Sequence, residues 1–400
     1  MRVLFTTRGS SGHLGPLVPF ARACERAGHE VRVAAQEQFG ANVERAGLPF
    51  APFDAPERDE WMPLMSEFAK LDFQTANAVM IGKFFAGLDV AAGLPRLTTF
   101  IEEWRPDVIV RESWEFGSSL VAEVQGVPMA RVGLGLAALE DESIRIAAPG
   151  VDEARRGLGL PSDPEGVRLR EPPYLTMVPE SLEDPAGATS GTTHRFRFEA
   201  DVSPAPLPDW WPGNDDPLVY LTFGSVAAGA HLPYYPQLYR AAIDVLAPLP
   251  IRLLVTIGDQ ERSGEELGPV PANVHVETWV RHDDATAAAT VVVCHGGFGS
   301  TLGTLAHGRP LVVVPVFSSD QWVNGDAVAR VGAGVALADD PTTRAALALP
   351  SAGVIAGLAD AVRRLLREES YRERAAGVAE SMRSLPPVEQ AVEVLAAQVR

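Results

Sequence analysis

The chain has 400 residues, of which 46% are hydrophobic and 22% charged, so it is long enough for two domains and too apolar to be disordered. Its 34 basic and 52 acidic side chains give a formal net charge of −18, which argues against binding to nucleic acid or to an anionic membrane. The two cysteines, Cys24 and Cys294, are too few for a disulfide framework, so we expect a cytoplasmic protein.

Short apolar runs alternate with longer helical patterns along the whole chain. The predicted strands are residues 3–6, 31–35, 108–110 and 129–132 in the first half, and 218–222, 253–257, 274–277, 291–294 and 311–314 in the second. Continuous apolar strands separated by helices are typical of parallel sheets that helices cover on both faces. The predicted fold class is therefore α/β, with doubly wound sheets.

A proline-rich stretch divides the sequence. Residues 203–217, SPAPLPDWWPGNDDP, contain five prolines and no periodicity, which predicts a linker. It separates an N-terminal domain at residues 1–202 from a second domain at residues 218–385. Pro386 and Pro387 then precede a last helix, so we assign residues 386–400 to a separate C-terminal segment.

One segment breaks the alternation of strands and helices. Residues 55–100 are rich in methionine and phenylalanine, and Phe84 and Phe85 are among them. They are either the apolar faces of ordinary helices or, for a few of them, the wall of a pocket for an apolar ligand. No stretch approaches the roughly 18 consecutive apolar residues of a membrane span, and the N-terminus turns polar at Thr6, so we expect neither a membrane helix nor a signal peptide.

The first predicted strand runs into a glycine-rich turn, GSSGHLG at residues 9–15, and then into a helix. This turn has no Gly-Lys-Ser/Thr ending and not the glycine spacing of a dinucleotide fingerprint, which excludes both phosphate-binding motifs. Its unusual residue is His13, which lies at the ligand-binding edge of a parallel sheet. His13 is either a general base or a surface histidine that caps the turn.

A histidine base needs a partner for its second ring nitrogen. Glu112 follows the predicted strand at residues 108–110, at the same edge of the sheet, so it is a candidate to accept a hydrogen bond from His13. The alternative is that Glu112 pairs with Arg111 or faces solvent.

A second glycine-rich turn, HGGFGST at residues 295–301, joins the strand at 291–294 to a helix. Its glycines allow the backbone to approach a diphosphate closely. The helix N-terminus, the hydroxyl of Ser300 or Thr301 and a histidine N–H can donate hydrogen bonds to that group. After the next strand, Asp320 and Gln321 are suited to holding sugar hydroxyls.

These features together resemble the nucleotide-sugar-dependent glycosyltransferases of the GT-B fold, and most closely the bacterial natural-product branch that decorates antibiotics. The resemblance rests on the 295–301 turn, the Asp320-Gln321 pair and His13 in its glycine-rich loop, and it spans nearly the whole chain. It implies two Rossmann-like domains with an interdomain cleft. The N-terminal domain would bind the acceptor, the second domain would bind the nucleotide sugar, and the C-terminal helix would cross back to the N-terminal domain.

The resemblance also implies a role for each matching residue. His13 would deprotonate the acceptor and Glu112 would be its carboxylate partner. Asp320 and Gln321 would bind the donor sugar, and the nucleotide and diphosphate would contact Gly12, Ser225, Trp279, Val280, His295, Gly297, Ser300 and Thr301. Within that set Trp279 and Val280 match the place where the nucleobase packs. The alternative for Trp279 is core packing after the strand at 274–277, and the contact with the base is favoured.

The sequence departs from the family pattern at two places. The usual partner of the histidine is aspartate, and because glutamate is one methylene longer, Glu115 is an alternative to Glu112. Arg281 and His282 stand where a Pro-Gln pair is common, which affects the contacts expected with the nucleobase.

The implied reaction is the inverting transfer of a hexose or deoxyhexose from a TDP-sugar, or from a UDP-sugar, to an apolar natural-product aglycone. No Asp-x-Asp motif occurs in the sequence, so we expect no metal ion and no other cofactor. An acceptor hydroxyl ionises only well above neutral pH, which is why attack on the anomeric carbon needs a base. Direct displacement of the diphosphate would invert that carbon.

Two other functions are compatible with the same residues. A nucleotide-sugar epimerase shares the fold but would act on the donor alone, and a catalytically inactive relative would serve as an auxiliary protein. The sequence leaves open the acceptor, the donor sugar and whether oxygen, nitrogen or carbon receives it. The oligomeric state is also open, and a homodimer is one option.

Overall fold

The computed structural model describes residues 1–185, 192–200, 203–224, 235–258 and 267–399. The chain divides into two compact units. The first comprises Met1–Val178, Glu183–Arg197 and Leu385–Arg400, and the second comprises Pro179–Leu182 and Phe198–Ser384. The C-terminal segment is therefore part of the first unit. There Arg197 N donates to Pro386 O at 2.8 Å, and Glu389 pairs with Arg26 of the first helix.

The first unit contains a parallel sheet of seven strands in the order β3-β2-β1-β4-β5-β6-β7. The order reverses between β1 and β4, and at such a point loops leave the carboxyl ends of neighbouring strands in opposite directions and open a crevice. Thr6 of β1 lies opposite Arg111 of β4, so the loops that follow these two strands start side by side. The strands are β1 Arg2–Thr6, β2 Glu30–Gln36, β3 Phe50–Phe53, β4 Val108–Glu112, β5 Met129–Val132, β6 Tyr174–Thr176 and β7 Thr193–Arg195.

Helices connect these strands. They are α1 Ser11–Arg26, α2 Gly40–Arg45, α3 Arg58–Phe68, α4 Phe73–Val79, α5 Val90–Trp104, α6 Gly117–Gln125, α7 Ala137–Gly157 and α8 Val167–Arg170, with a π-helix at Met80–Asp89 and a C-terminal helix at Ala391–Gln398. The first of them begins at Ser11 rather than near Pro16, so His13 lies in the first turn of α1 and not in a free loop.

Helix α4, the π-helix and α5 form one continuous helical segment, Phe73–Trp104. By length and composition alone this segment could cross a membrane, and it is the one such helix in the described part of the chain, where the sequence analysis expected none. Its composition has another explanation, because core helices share it. Leu97 and Ile101 are buried against Phe53 and Ile109 in the core of the first unit.

The second unit contains a parallel sheet of six strands in the order β10-β9-β8-β11-β12-β13. The strands are β8 Leu218–Thr222, β9 Arg252–Thr256, β10 Val274–Glu277, β11 Val291–Cys294, β12 Leu311–Val313 and β13 Gly334–Ala336. The helices are α9 Tyr235–Leu246, α10 His282–Ala288, α11 Phe298–Ala306, α12 Ser319–Arg330, α13 Ala352–Arg367 and α14 Glu369–Arg383. Here the order reverses between β8 and β11, which places the 295–301 turn at the switch point of this sheet.

The proline-rich stretch at residues 203–217 contains no helix or strand and belongs to the second unit. It lies along that unit's surface. Ala205 N donates to Asp284 Oδ1 at 2.7 Å, and the ring of Trp210 stacks on His275 with 4.3 Å between centroids.

Candidate active site

The first unit contains a histidine–glutamate pair that the sequence predicted as catalytic. His13 Nδ1 lies 2.8 Å from Glu112 Oε1. His13 is in the first turn of α1 and Glu112 ends β4, so the pair forms because β1 and β4 are neighbours in the sheet. Glu112 is wholly buried, whereas the histidine side chain keeps 12% of its surface exposed. The imidazole therefore has one nitrogen on a buried carboxylate and a surface through which a ligand can reach it.

Glu112 accepts hydrogen bonds through both carboxylate oxygens. Oε1 faces His13 and, at 3.4 Å, the backbone N–H of Arg8, while Oε2 accepts from the backbone N–H of Trp114 at 2.6 Å. Burial acts to raise the pKa of Glu112, but the charge and hydrogen bond of His13, the bond from Trp114 and the charge of Arg8 together lower the pKa below its usual value. An ionised Glu112 can then stabilise a protonated imidazole.

Glu115, the alternative partner, is bound elsewhere. Its carboxylate accepts from Thr6 Oγ1 at 2.7 Å and from the backbone N–H of Ser118 at 3.0 Å, and it also contacts the Ser118 hydroxyl. Burial raises the pKa of Glu115 in spite of these bonds. The contact with His13 is therefore made by Glu112, and Glu115 fastens the start of α6 to the end of β1.

Aromatic side chains surround the imidazole. The ring of His13 lies edge-on to Trp114 at 5.4 Å and to Phe85 at 6.4 Å, and Phe85 stacks on Trp114 at 5.8 Å. Phe84 lies next to Phe85, with 5.9 Å between the two ring centroids. The segment at residues 55–100 thus contributes apolar surface beside His13. Gly12, the preceding residue, is exposed in the same turn of α1.

A second group of predicted site residues lies in the turn after β11, in the second unit. The ring of His295 is buried and stacks on Phe317 at 5.7 Å. Burial, together with the nearby His282, lowers the pKa of His295 to about 4, so its imidazole is neutral at physiological pH. Within the described residues, its Nδ1 has no hydrogen-bond partner. A buried nitrogen without a partner is costly unless a ligand supplies one.

Small residues hold the His295 ring in place. A Cβ atom added at Gly297 would lie 2.5 Å from His295 Nε2, and one added at Gly224 would lie 2.6 Å from His295 Cε1. Gly296 has a φ of +88°, which favours glycine, and Asn324 Nδ2 donates to its carbonyl at 2.7 Å. The turn therefore has a fixed shape.

Gly297 is the N-cap of α11, and among the residues that the structure describes no side chain caps that helix. The backbone N–H groups of its first turn and the helix dipole favour an anion there. Ser300 lies in this turn, half-buried, with its carbonyl accepting from Thr304 Oγ1 at 2.7 Å. The hydroxyl of Thr301 is buried and has no partner among the described residues. His295, Gly297, Ser300 and Thr301 are thus grouped around one helix N-terminus.

Asp320 and Gln321 begin α12, close to this turn. Gln321 is almost completely buried, and its Oε1 accepts from the backbone N–H groups of Val316 and Phe317 at 2.7 and 3.0 Å. The side-chain oxygen of Gln321 therefore shapes the loop that places Phe317 on His295. The sequence analysis predicted a contact of Gln321 with the donor sugar and did not anticipate this structural role. Asp320 is half-buried.

Trp279 and Val280 lie in the loop between β10 and α10. Trp279 is not a core residue, because 58% of its surface is exposed. Such an exposed ring can stack on a planar ligand. Ser225, the remaining predicted contact, lies outside the described residues.

Comparison with known proteins identifies the family. The model of the C-terminal domain of erythromycin biosynthesis protein CIII-like proteins matches residues 240–397, and the model of their N-terminal domain matches residues 22–217. An L-demethylnoviosyl transferase from Streptomyces niveus is 30% identical over 396 residues, which cover 97% of this chain and 100% of the relative. A 4'-demethylrebeccamycin synthase from Lentzea aerocolonigenes is 30% identical over 84% of this chain and 87% of its own length.

A solved structure agrees with these relatives. The glycosyltransferase SsfS6 from Streptomyces sp. SF2575, complexed with thymidine diphosphate, is 26% identical, covers 99% of both chains and superimposes with a TM-score of 0.69. This chain belongs to the EryCIII-like glycosyltransferases. Its two doubly wound sheets form the two domains of the GT-B fold, and the branch is the one that serves antibiotic and other natural-product pathways, as the resemblance predicted.

Two residues of this glycosyltransferase site could not be found from sequence. Trp114 lies two residues beyond Glu112, where no motif marks it, and Arg8 precedes the glycine-rich turn. Only folding brings the Trp114 ring against His13 and the backbone N–H of Arg8 towards Glu112. Among the described residues, no three His, Cys, Asp or Glu side chains are grouped as a metal site requires.

Proposed function

We propose that this glycosyltransferase moves a hexose or deoxyhexose from a TDP-sugar to an apolar natural-product acceptor with inversion, and that His13 is the base. The observation that carries the proposal is the pair of His13 Nδ1 and Glu112 Oε1 at 2.8 Å, set among aromatic side chains. A buried carboxylate on one nitrogen leaves Nε2 to take a proton from the acceptor.

The donor half of the proposal rests on the second unit. The uncapped N-terminus of α11, the Thr301 hydroxyl and the neutral His295 can donate hydrogen bonds to a diphosphate, and Trp279 offers its face to a nucleobase. Thymidine is the preferred nucleoside because SsfS6 was solved with thymidine diphosphate. A UDP-sugar is the alternative donor. Asp320 and Gln321 would lie nearest the sugar.

The acceptor half rests on the surroundings of His13. Phe84, Phe85 and Trp114 present apolar, planar surfaces there, which suit a polycyclic or polyketide-like aglycone. A free sugar would find few polar partners on such a surface.

The proposed reaction is a single displacement. His13 Nε2 takes the proton of the acceptor hydroxyl while its oxygen forms the new bond to the anomeric carbon. The bond from that carbon to the diphosphate oxygen breaks with its electron pair, and TDP leaves with the extra negative charge. The α11 N-terminus and the hydrogen-bond donors around it would stabilise that charge, so the proposal needs no metal ion or cofactor.

The test has two stages. Calorimetric titration with TDP, UDP, ADP and GDP, each without metal and then with magnesium, identifies the nucleotide. We expect micromolar binding of TDP that His295→Ala weakens at least tenfold. Acceptors are then screened with a TDP-sugar, and His13→Ala should abolish transfer while TDP still binds. Full activity of His13→Ala towards an alcohol acceptor would contradict the base assignment, and an isomerised donor without a glycoside would identify an epimerase.

A further inference from the structure

A buried ion pair joins the loop that precedes His13 to the π-helix. Arg8 lies between β1 and α1, and its Nε and Nη2 lie 2.9 and 2.8 Å from Asp89 Oδ2. The two side chains are 15% and 10% exposed. The guanidinium carbon also lies over the ring of Phe85, 3.6 Å from its centroid. Arg8 therefore contacts two residues of the same π-helical segment.

Asp89 is the last residue of that segment, Met80–Asp89. Its second oxygen accepts from Gln36 Nε2 at 3.1 Å. Burial raises the pKa of Asp89, and Arg8, Gln36 and His13 oppose that rise. A nearly buried ion pair adds little stability on average. π-Helices are rare in proteins, and those that occur are often found at functional sites. The placement of the pair beside the base is therefore the feature to explain.

Contacts lead from the ion pair to the imidazole by two routes. On the first route, Phe85 lies under Arg8 and edge-on to His13. Phe85 also stacks on Trp114, whose backbone N–H donates to Glu112. The backbone N–H of Arg8 also faces Glu112 Oε1, the oxygen that contacts His13. A shift of Arg8 would thus displace both the aromatic wall and the carboxylate.

We propose that Arg8 and Asp89 are positioning residues for His13: their ion pair fastens the β1–α1 loop to the π-helix and leaves no net charge from the pair beside the imidazole. This inference rests on the proposed function, in which His13 is the base. Neither residue touches the reacting atoms.

Charged groups reach the imidazole from three elements in the described part of the chain. Glu112 comes from β4, Arg8 from the loop before α1 and Asp89 from the π-helix, and Glu115 acts on Glu112 from the loop before α6. Asp89→Asn removes one negative charge and leaves the Arg8 cation uncompensated, which disfavours a second cation on His13. Arg8→Gln leaves the Asp89 carboxylate uncompensated, which favours that cation. The two variants must therefore have opposite effects.

The test follows the titration of His13 by NMR in the full-length protein without substrates, with its signal assigned from His13→Gln. We expect the midpoint to fall by about half to one pH unit in Asp89→Asn and to rise in Arg8→Gln. The double variant should return it close to wild type. Asp360→Asn, which removes an exposed carboxylate in the second unit, is the matched control and should change nothing.

Unchanged midpoints, or shifts in the same direction in both single variants, would overturn the inference. A general loosening of the loop does not depend on which charge is removed, so it would not shift the midpoint of His13 in opposite directions. If Asp89→Asn does not fold, Arg8→Gln and the double variant carry the test, since the double variant buries no unpaired charge. The activity readout is separate. Asp89→Asn should lower kcat about tenfold with the dissociation constant of TDP unchanged, as expected of a misplaced base. Wild-type activity in His13→Ala would refute the proposed function and leave the NMR result standing.

Discussion

Replacing Glu112 by glutamine tests how the buried carboxylate serves His13. Besides the Arg8 backbone N–H at 3.4 Å, two closer N–H groups point at its two oxygens, His13 Nδ1–H at 2.8 Å and the Trp114 backbone N–H at 2.6 Å. Glutamine has one oxygen and one NH₂ group, so it can accept from only one of them. If the oxygen faces Trp114, the NH₂ group faces Nδ1 and the proton of a neutral imidazole moves to Nε2. Nε2 could then no longer accept the acceptor's proton.

The size of the effect follows from these two bonds. A hydrogen bond to a charged group contributes about 1.5–3 kcal/mol net, and each 1.36 kcal/mol changes a rate tenfold. We therefore expect Glu112→Gln to lower kcat roughly 10- to 100-fold. A buried N–H that loses its acceptor also costs about 1–3 kcal/mol of the free energy of unfolding.

The assay measures kcat and the dissociation constant of TDP for wild type and Glu112→Gln, with the donor and acceptor found in the screen. The nucleotide affinity should not change, because every predicted nucleotide contact except Gly12 is in the second unit. Glu380→Gln, an exposed glutamate of α14 with 74% of its side chain accessible, is the matched control. A folded Glu112→Gln enzyme with the wild-type kcat across the pH range would refute the reasoning.

Three further predictions concern the same two units. Gly297→Ala should weaken TDP binding at least tenfold in calorimetry, because the new methyl group would displace the His295 ring, whereas Gly377→Ala, with open space around it, should leave affinity unchanged. Trp279→Ala should weaken TDP about tenfold without lowering the melting temperature, since the ring is exposed and base stacking contributes about 1–3 kcal/mol; unchanged affinity would remove Trp279 from the site. Glu112 and Glu115 should differ in how stability depends on pH. Because folding lowers the pKa of Glu112, the ionised carboxylate adds to the free energy of unfolding above about pH 4.3, and this contribution is lost on acidification. Because folding raises the pKa of Glu115, ionising that carboxyl lowers the free energy of unfolding as the pH rises above that value. The melting temperature of Glu115→Gln relative to wild type should therefore rise between pH 4.5 and pH 7, as measured by thermal denaturation.

Much of the fold could be predicted because parallel strands covered on both faces are continuous apolar runs. Strand β3 was missed for a physical reason, since Phe50–Phe53 contains Pro52, which removes a hydrogen-bond donor. The strand is tolerated because it lies at the edge of its sheet. Strand β13, Gly334–Ala336, is too short to show a pattern.

The pairing of His13 with Glu112 could be anticipated because both follow strands that end at one edge of the sheet. Which of Glu112 and Glu115 makes the contact could not, since the backbone bonds from Trp114 and Ser118 decide it in the folded chain. Gln321 shows the same limit. Its amide can face a ligand or the backbone, and the loop at Val316 and Phe317 determines which.

The π-helix explains why the surroundings of His13 were the least predictable part of the candidate site. A π-helix has a longer turn than an α-helix, so over Met80–Asp89 the residues that share one face depart from the 3.6-residue period that sequence reading assumes. Phe85 contacts His13 and Asp89 contacts Arg8 through this altered register. In this chain the two proposed features, His13 as the base and the 295–301 turn as the phosphate-binding turn, lie in motifs that can be read from sequence. The residues that surround His13 depend on a local helical geometry that only the folded chain establishes.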